Sequence, residues 1–172
     1  MTGLKPGEVP HGSRAAEPEF AAFYAEELPG LLRFLGRLGA QPADAADAAQ
    51  EAFIEVRMRW AEIRNPKAYL RRAARNELIA LAERPRQDLD RAIRGCWIDL
   101  RSVEAAYARD EVQKVVRSLA QLPDRQRQVL AWFYDGYSVA EIAEELGMTQ
   151  STVRSNLRHA REKLRLLGVE EG

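Results

Sequence analysis

The residues with the clearest chemical purpose lie between Thr149 and Arg165. From Arg154 onward, Arg154, Arg158, Arg161, Lys163 and Arg165 set five cations against a single acid, Glu162. A guanidinium can hold a guanine edge or a phosphate through two hydrogen bonds at once, which lysine does less well. Thr149, Gln150, Ser151 and Thr152 precede them. They place hydroxyls and free backbone N–H groups where a first helical turn would begin, and such a turn can hold a phosphate. With Ser155 and His159 between the arginines, this set suits contact with a nucleic-acid groove rather than the making or breaking of bonds.

These side chains act together only if a helix presents them on one face. Val153, Leu157, Ala160 and Leu164 recur at helical spacing and supply the inner face. Arg154, Ser155 and Arg158 then point outward, with His159 beside them and Arg161 on the flank. Thr149 is the hydroxyl N-cap. Upstream, Ser138-Val139-Ala140-Glu141 forms a capping box, a hydroxyl followed three residues later by a carboxylate that reaches back to a free N–H. Val139, Ile142, Ala143 and Leu146 continue that helix, and Gly147 stands where a left-handed C-terminal cap is needed. Two helices joined by a tight turn, the second one basic, make a helix-turn-helix whose second helix reads the major groove. An ordinary solvated basic face would not need cap, turn, inner face and basic outer face in this order.

Two further stripes of charge occur in the first half. Asp44, Asp47, Glu51 and Glu55 are spaced three, four and four apart, opposite an alanine-rich face. Like charges at that spacing cost a few tenths of a kcal/mol per pair, which a basic partner surface would offset. A solubilising face accounts for the stripe equally well at this level. Arg64, Lys67, Arg71 and Arg75 repeat the same spacing with basic residues, flanked by Arg72 and Asn76. Trp60 and Tyr69 lie among them. Cations with exposed rings suit a single-stranded nucleic acid, whose bases stack while its backbone is neutralised; both rings also fit the core of a small bundle.

Composition narrows the function classes. The chain of 172 residues carries 26 basic and 26 acidic side chains. A protein held on DNA by charge alone would carry a basic excess, so this one needs a partner. Its single cysteine, Cys96, allows no internal disulfide and suits a reducing compartment. With only His11 and His159 besides, no metal site is expected. No apolar run approaches the roughly twenty residues that span a bilayer, and the N-terminus has no signal-peptide core. The expectation is a cytoplasmic protein without membrane insertion.

Along the chain, residues 1–18 are polar and rich in glycine and proline, and read as a disordered tail. Phe20 to Leu38 is helical and interrupted near Pro29. A helix starts at Pro42 and Asp44 and runs to about Trp60, with Ala45, Ala49, Ala52, Val56 and Trp60 on one face. Asn65-Pro66 opens another, to about Arg84, with proline at the first helical position. Residues 85–109 are weakly patterned and read as a linker with a short helix at most. From Asp110 the chain is helical again, broken at Pro123 and at Asp135-Gly136. No strand stands out. The fold class is all-α, as two small helical domains, residues 19–84 and 110–168, joined by the linker.

The residues in this order resemble the extracytoplasmic-function (group IV) sigma factors of bacterial RNA polymerase. The match runs over FAAFYAEELPGLLRFLGRLGA, DAADAAQEAFIEVRMRW and NPKAYLRRAARNEL in the first half. It continues over LPDRQRQVLAWFYDGYSVAEIAEELGMTQSTVRSNLRHAREKL in the second, in all about residues 19 to 165. The last motif alone is shared with LuxR-type regulators; the order of all four is specific. The resemblance implies that Asp47, Gln50, Glu51 and Phe53 bind the clamp helices of the polymerase β′ subunit. It implies that Asn65, Lys67, Tyr69, Arg71, Arg72, Arg75 and Asn76 engage the −10 element. It further implies that Thr149, Gln150, Ser151, Thr152, Arg154, Ser155, Arg158, His159 and Arg161 contact the −35 element. Leu130 and Phe133 would serve the β flap as well as the core, and the linker would thread toward the active-site cleft. Core polymerase and promoter DNA are then the partners, with an anti-sigma factor possible; no catalytic residue, cofactor or small-molecule substrate is implied. Two departures stand out. Ala80, Leu81 and Glu83 replace a usual aspartate and two common arginines, which lowers the positive charge beside the −10 DNA. Asn156 replaces a common arginine of the reading helix, which implies weaker phosphate contacts there. Two rivals remain at this level: a stand-alone LuxR-type regulator, and a sigma-like protein that binds polymerase without opening promoters.

Overall fold

A computed structural model describes residues 16–83 and 110–169, and every element in them is helical. Four elements come from the first segment: α1 (Ala16–Arg37), α2 (Pro42–Met58), a short 3₁₀ turn (Trp60–Glu62) and α3 (Pro66–Glu83). Four more come from the second: α4 (Asp110–Ala120), α5 (Asp124–Tyr134), α6 (Val139–Leu146) and α7 (Gln150–Leu166). The expected linker lies outside the described residues, as do residues 1–15 of the expected tail. Residues 16–18 of that tail belong to α1 instead.

The helix ends follow local chemistry. Pro42 and Pro66 occupy first helical positions, where their missing N–H costs nothing. The Asn65 Oδ1 accepts from the Ala68 backbone N–H at 3.2 Å and caps α3. The capping box on α6 is complete: the Ser138 hydroxyl accepts from the Glu141 N–H, and the Glu141 carboxylate accepts from the Ser138 N–H at 2.8 Å. Gly147 takes φ 62° and ψ 41°, a left-handed cap that an L side chain adopts only at a cost.

In the first half, α2 packs most extensively on α3, and α1 contacts both. Ala45, Ala46, Ala48, Ala49 and Ala52 of α2 are buried, and their small side chains let neighbouring backbones approach closely. In the second half, α7 packs its Val153, Leu157, Ala160 and Leu164 against α5 and α6, which bury Val129, Leu130, Trp132 and Ile142. The halves also pack on each other. Helix α1 meets α5, the rings of Phe34 and Trp132 touch edge to face at 5.4 Å, and both are fully buried. Both halves therefore contribute to one continuous hydrophobic core.

Candidate nucleic-acid interfaces and docking surface

Helix α7 carries the first candidate surface. Its four apolar residues face α5 and α6, so Arg154, Arg158 and His159 are exposed and Ser155 is half-buried. The first turn is a cluster of hydroxyls. Thr149 Oγ1 lies 2.9 Å from Ser151 Oγ and 2.8 Å from Thr152 Oγ1, and it accepts from the Thr152 N–H at 3.2 Å. Gln150 Oε1 accepts from Arg154 Nη2 at 3.1 Å, which steadies that guanidinium against the helix start. Two neighbours are already engaged. Asn156 Nδ2 donates to the Thr152 carbonyl one turn back at 2.9 Å, so its amide turns to its own helix. The Arg161 guanidinium sits 4.6 Å from the centre of the Phe133 ring, a cation–π contact on the flank of α7.

The second candidate surface is on α3, and its residues divide. Asn65, Lys67, Arg72 and Asn76 are exposed, Tyr69 and Arg75 are half-buried, and Arg71 is buried. Tyr69 ties α3 to the end of α2: its hydroxyl donates to Glu55 and accepts from Arg59 at 2.7 Å. The guanidinium groups of Arg59 and Arg72 approach its ring at 5.4 and 5.7 Å. The Glu55 carboxylate, which favours the protonated hydroxyl, pushes the Tyr69 pKa up. Trp60 packs against Phe20 and Phe23 at 5.4 and 5.1 Å, so it belongs to the bundle. Arg71, Arg72 and Arg75 all turn toward the second half, where they meet Asp135, Glu145 and Gln128 respectively. Burial lowers the Arg75 pKa, and nearby Arg125 adds to the effect.

The third is the outer face of α2. Asp44 and Glu51 are exposed, Asp47 and Gln50 half-buried. Glu55 is committed to Tyr69 and lies 3.9 Å from Arg59, so it leaves the acidic stripe. Phe53, expected on this surface, is 3% exposed and packs against Tyr24, Phe23 and Phe20 in the core. In its place the outer face presents Ile54 and Met58, the latter 75% exposed. Sequence reasoning missed both, although their spacing from Asp47 and Glu51 puts them on the acidic side of α2. Leu130, expected to serve the core as well as a partner, is fully buried in the core; Phe133 is half-buried beneath Arg161. No helix among the described residues is long and apolar enough to cross a membrane.

Residues 23–86 match the family Sigma-70 region 2, and residues 113–164 match Sigma-70, region 4. An ECF RNA polymerase sigma factor of Mycobacterium tuberculosis, SigL, is 32% identical over 94% of this chain and 96% of its own length. The chain belongs to the ECF sigma factors. The RNA polymerase sigma-E factor of Streptomyces avermitilis is 31% identical to this sigma factor, over 86% of it and 83% of the relative. Among solved structures, the sigma factor RpoE in complex with the anti-sigma factor NepR from Bartonella quintana superposes with a TM-score of 0.67. It is 21% identical and covers 89% of this sigma factor and 99% of that chain. CnrH in complex with the cytosolic domain of CnrY gives 0.64 at 22% identity, over 91% and 89%. As a sigma factor, the protein binds RNA polymerase and directs promoter recognition, which removes the stand-alone regulator as a rival.

Proposed function

We propose that the sigma factor divides promoter recognition between α7 and α3, and docks on polymerase through α2. Helix α7 reads the −35 element in the major groove. Arg154 and Arg158 contact base edges, Ser155 and His159 line the same face, and the hydroxyl-rich first turn holds a phosphate. Segment 19–84 engages the −10 element through α3 and the β′ clamp helices through Asp47, Gln50 and Glu51, joined by the exposed Ile54 and Met58. The protein performs no catalysis of its own and works with polymerase in the cytoplasm. An anti-sigma factor is among its partners in this reading, since a solved neighbour is held by one.

The observation that carries the reading is the construction of α7: a capped helix with a wholly apolar inner face and Arg154 and Arg158 exposed outside. Run-off transcription with purified core polymerase and a promoter library tests it. Sequence-dependent transcripts are expected, and Asp47→Arg combined with Glu51→Arg abolishes co-elution with core while the helical circular dichroism persists. Undiminished co-elution of that double variant removes the α2 docking surface.

A further inference from the structure

Where the end of α2 meets the start of α3, one exposed arginine is held from several sides. Arg59 is the C-terminal cap of α2, its backbone N–H bonded to the carbonyls of Glu55 and Val56. Trp60 beside it packs on Phe20 and Phe23, so the side chain starts from a fixed point. Its Nη1 donates to the Tyr69 hydroxyl at 2.7 Å and its Nε to Glu62 Oε2 at 3.4 Å. A phenolic hydroxyl has one hydrogen. That hydrogen goes to Glu55 Oε1 at 2.5 Å, which leaves the oxygen lone pairs to Arg59. Glu55 therefore sets the direction in which the hydroxyl accepts. The guanidinium also lies 5.4 Å from the centre of the Tyr69 ring, which packs against the core. The Arg59 side chain is nonetheless 52% exposed. The surroundings decide what this guanidinium can bind. Two carboxylates stand beside it, Glu62 at 3.4 Å and Glu55 at 3.9 Å. They offset its charge and repel a phosphate, so the cluster is poorly suited to a sugar–phosphate backbone. The flat face of the guanidinium is untouched by that balance, and unpaired bases stack on guanidinium planes as they do on aromatic rings.

We propose that Arg59 stacks its guanidinium on one unpaired base of the −10 strand, and that Glu55 is a positioning residue that acts on it through Tyr69. Tyr69 then serves as the support, and the base meets Arg59. Arg72, 5.7 Å from the same ring, joins this point to the exposed face of α3 that carries Asn76. Holding a long side chain in place before the strand arrives removes the entropy that binding would otherwise have to overcome. The inference rests on the assignment of α3 to the −10 element and adds to it two residues that precede α3 in the chain.

The test titrates holoenzyme, reconstituted from the full-length protein and purified core, with a labelled −10 single strand whose bases are removed one at a time as abasic sites. In wild type one position is expected to be sensitive, loss of its base weakening binding about tenfold. Arg59→Ala is expected to bind the intact strand about tenfold more weakly and to be indifferent to the abasic site at that position. Arg59→Lys keeps the charge without the plane and should behave like Arg59→Ala; binding at wild-type strength means that charge alone acts, which overturns the stacking. Glu55→Ala and Tyr69→Phe each release the guanidinium and lower both affinity and base sensitivity, the double variant no further than either. Glu55→Gln, which still accepts from the hydroxyl, restores most of the wild-type response. Full base sensitivity in Arg59→Ala overturns the contact, and full sensitivity in Glu55→Ala overturns the positioning role. Loss of co-elution of Glu55→Ala with core also overturns that role and returns Glu55 to the docking face. Arg72→Ala and Asn76→Ala separate the contact from the assignment beneath it. If they weaken strand binding and Arg59→Ala does not, only the Arg59 contact falls; if none of the three does, α3 does not engage the −10 strand.

Discussion

Arg154, Arg158 and Arg161 share one helix but differ in what they touch. Arg154 and Arg158 are exposed, and Arg154 is held by Gln150. Replacing either by alanine is expected to cost about 1–3 kcal/mol at a defined base pair of the −35 element and to spare the −10 element. A saturation-mutated −35 library transcribed by each variant with core enzyme measures this; a uniform loss across all sequences would mean that both arginines hold only the backbone. Arg161 covers Phe133, so Arg161→Ala is expected to weaken all promoters alike and also to lower thermal stability slightly. The residue types on α7 were legible because cap, inner face and outer face were each marked by a different chemistry. Phe53 was expected on the outer face of α2 and lies in the core, whereas Leu130 belongs to the core as expected but is fully buried. Periodicity assigns a residue to a stripe about 100° wide, and both sit where neighbouring aromatic or apolar residues close over them. Arg71 escaped for a related reason: an arginine in a basic stripe looks solvated unless its acidic partner, 64 residues away, is known.

At the scale of elements, the boundaries followed from punctuation that the chain carries openly. Pro42, Pro66, Pro123, Ser138, Gly147 and Thr149 each sit at or beside an observed helix end. The capping box of α6 is a local device with a testable contribution. Ser138→Ala is expected to cost about 1 kcal/mol in urea unfolding near neutral pH. Hydrogen bonds from the Ser138 hydroxyl and backbone N–H hold the Glu141 carboxyl below its usual range. A lowered folded-state value means stability that is present above the unfolded glutamate value of about 4.3 and is lost as pH falls through the folded value. The difference between wild type and Ser138→Ala should therefore shrink in acid; a difference that stays constant down to pH about 2 would show that the ionised carboxylate adds nothing. On α2 the element presents apolar side chains to solvent on its acidic side. Met58→Glu, with Met58 75% exposed, is expected to leave the unfolding midpoint within about 0.5 kcal/mol of wild type. Its co-elution with core polymerase should fall, and unchanged co-elution would confine docking to the polar residues of that face.

The whole molecule holds what the sequence did not disclose. Each half could be read from its own periodicity, but the surface where they meet uses residues that look unremarkable within their own helices. Phe34 follows the apolar spacing of α1, and Trp132 that of α5; nothing in either stripe says that the two rings meet. The junction is consequential for cooperativity because both residues are fully buried within the shared core. Two small bundles with separate cores would unfold independently, each marginal at this size. With the junction formed, loss of either half exposes apolar surface on the other, so urea is expected to unfold the wild type in a single transition. Phe34→Ala removes the ring that touches Trp132 and costs about 3–5 kcal/mol by the usual measure of a large side chain deleted from a core. The cost falls on the first half and on the junction, whereas α5, α6 and α7 keep their own contacts with Val153, Leu157 and Leu164. Far-UV circular dichroism of the variant should therefore resolve two transitions, the earlier one carrying the first half. A single transition moved to lower urea would mean that the junction survives without the ring, and that the charged cluster around Arg71 suffices to couple the halves.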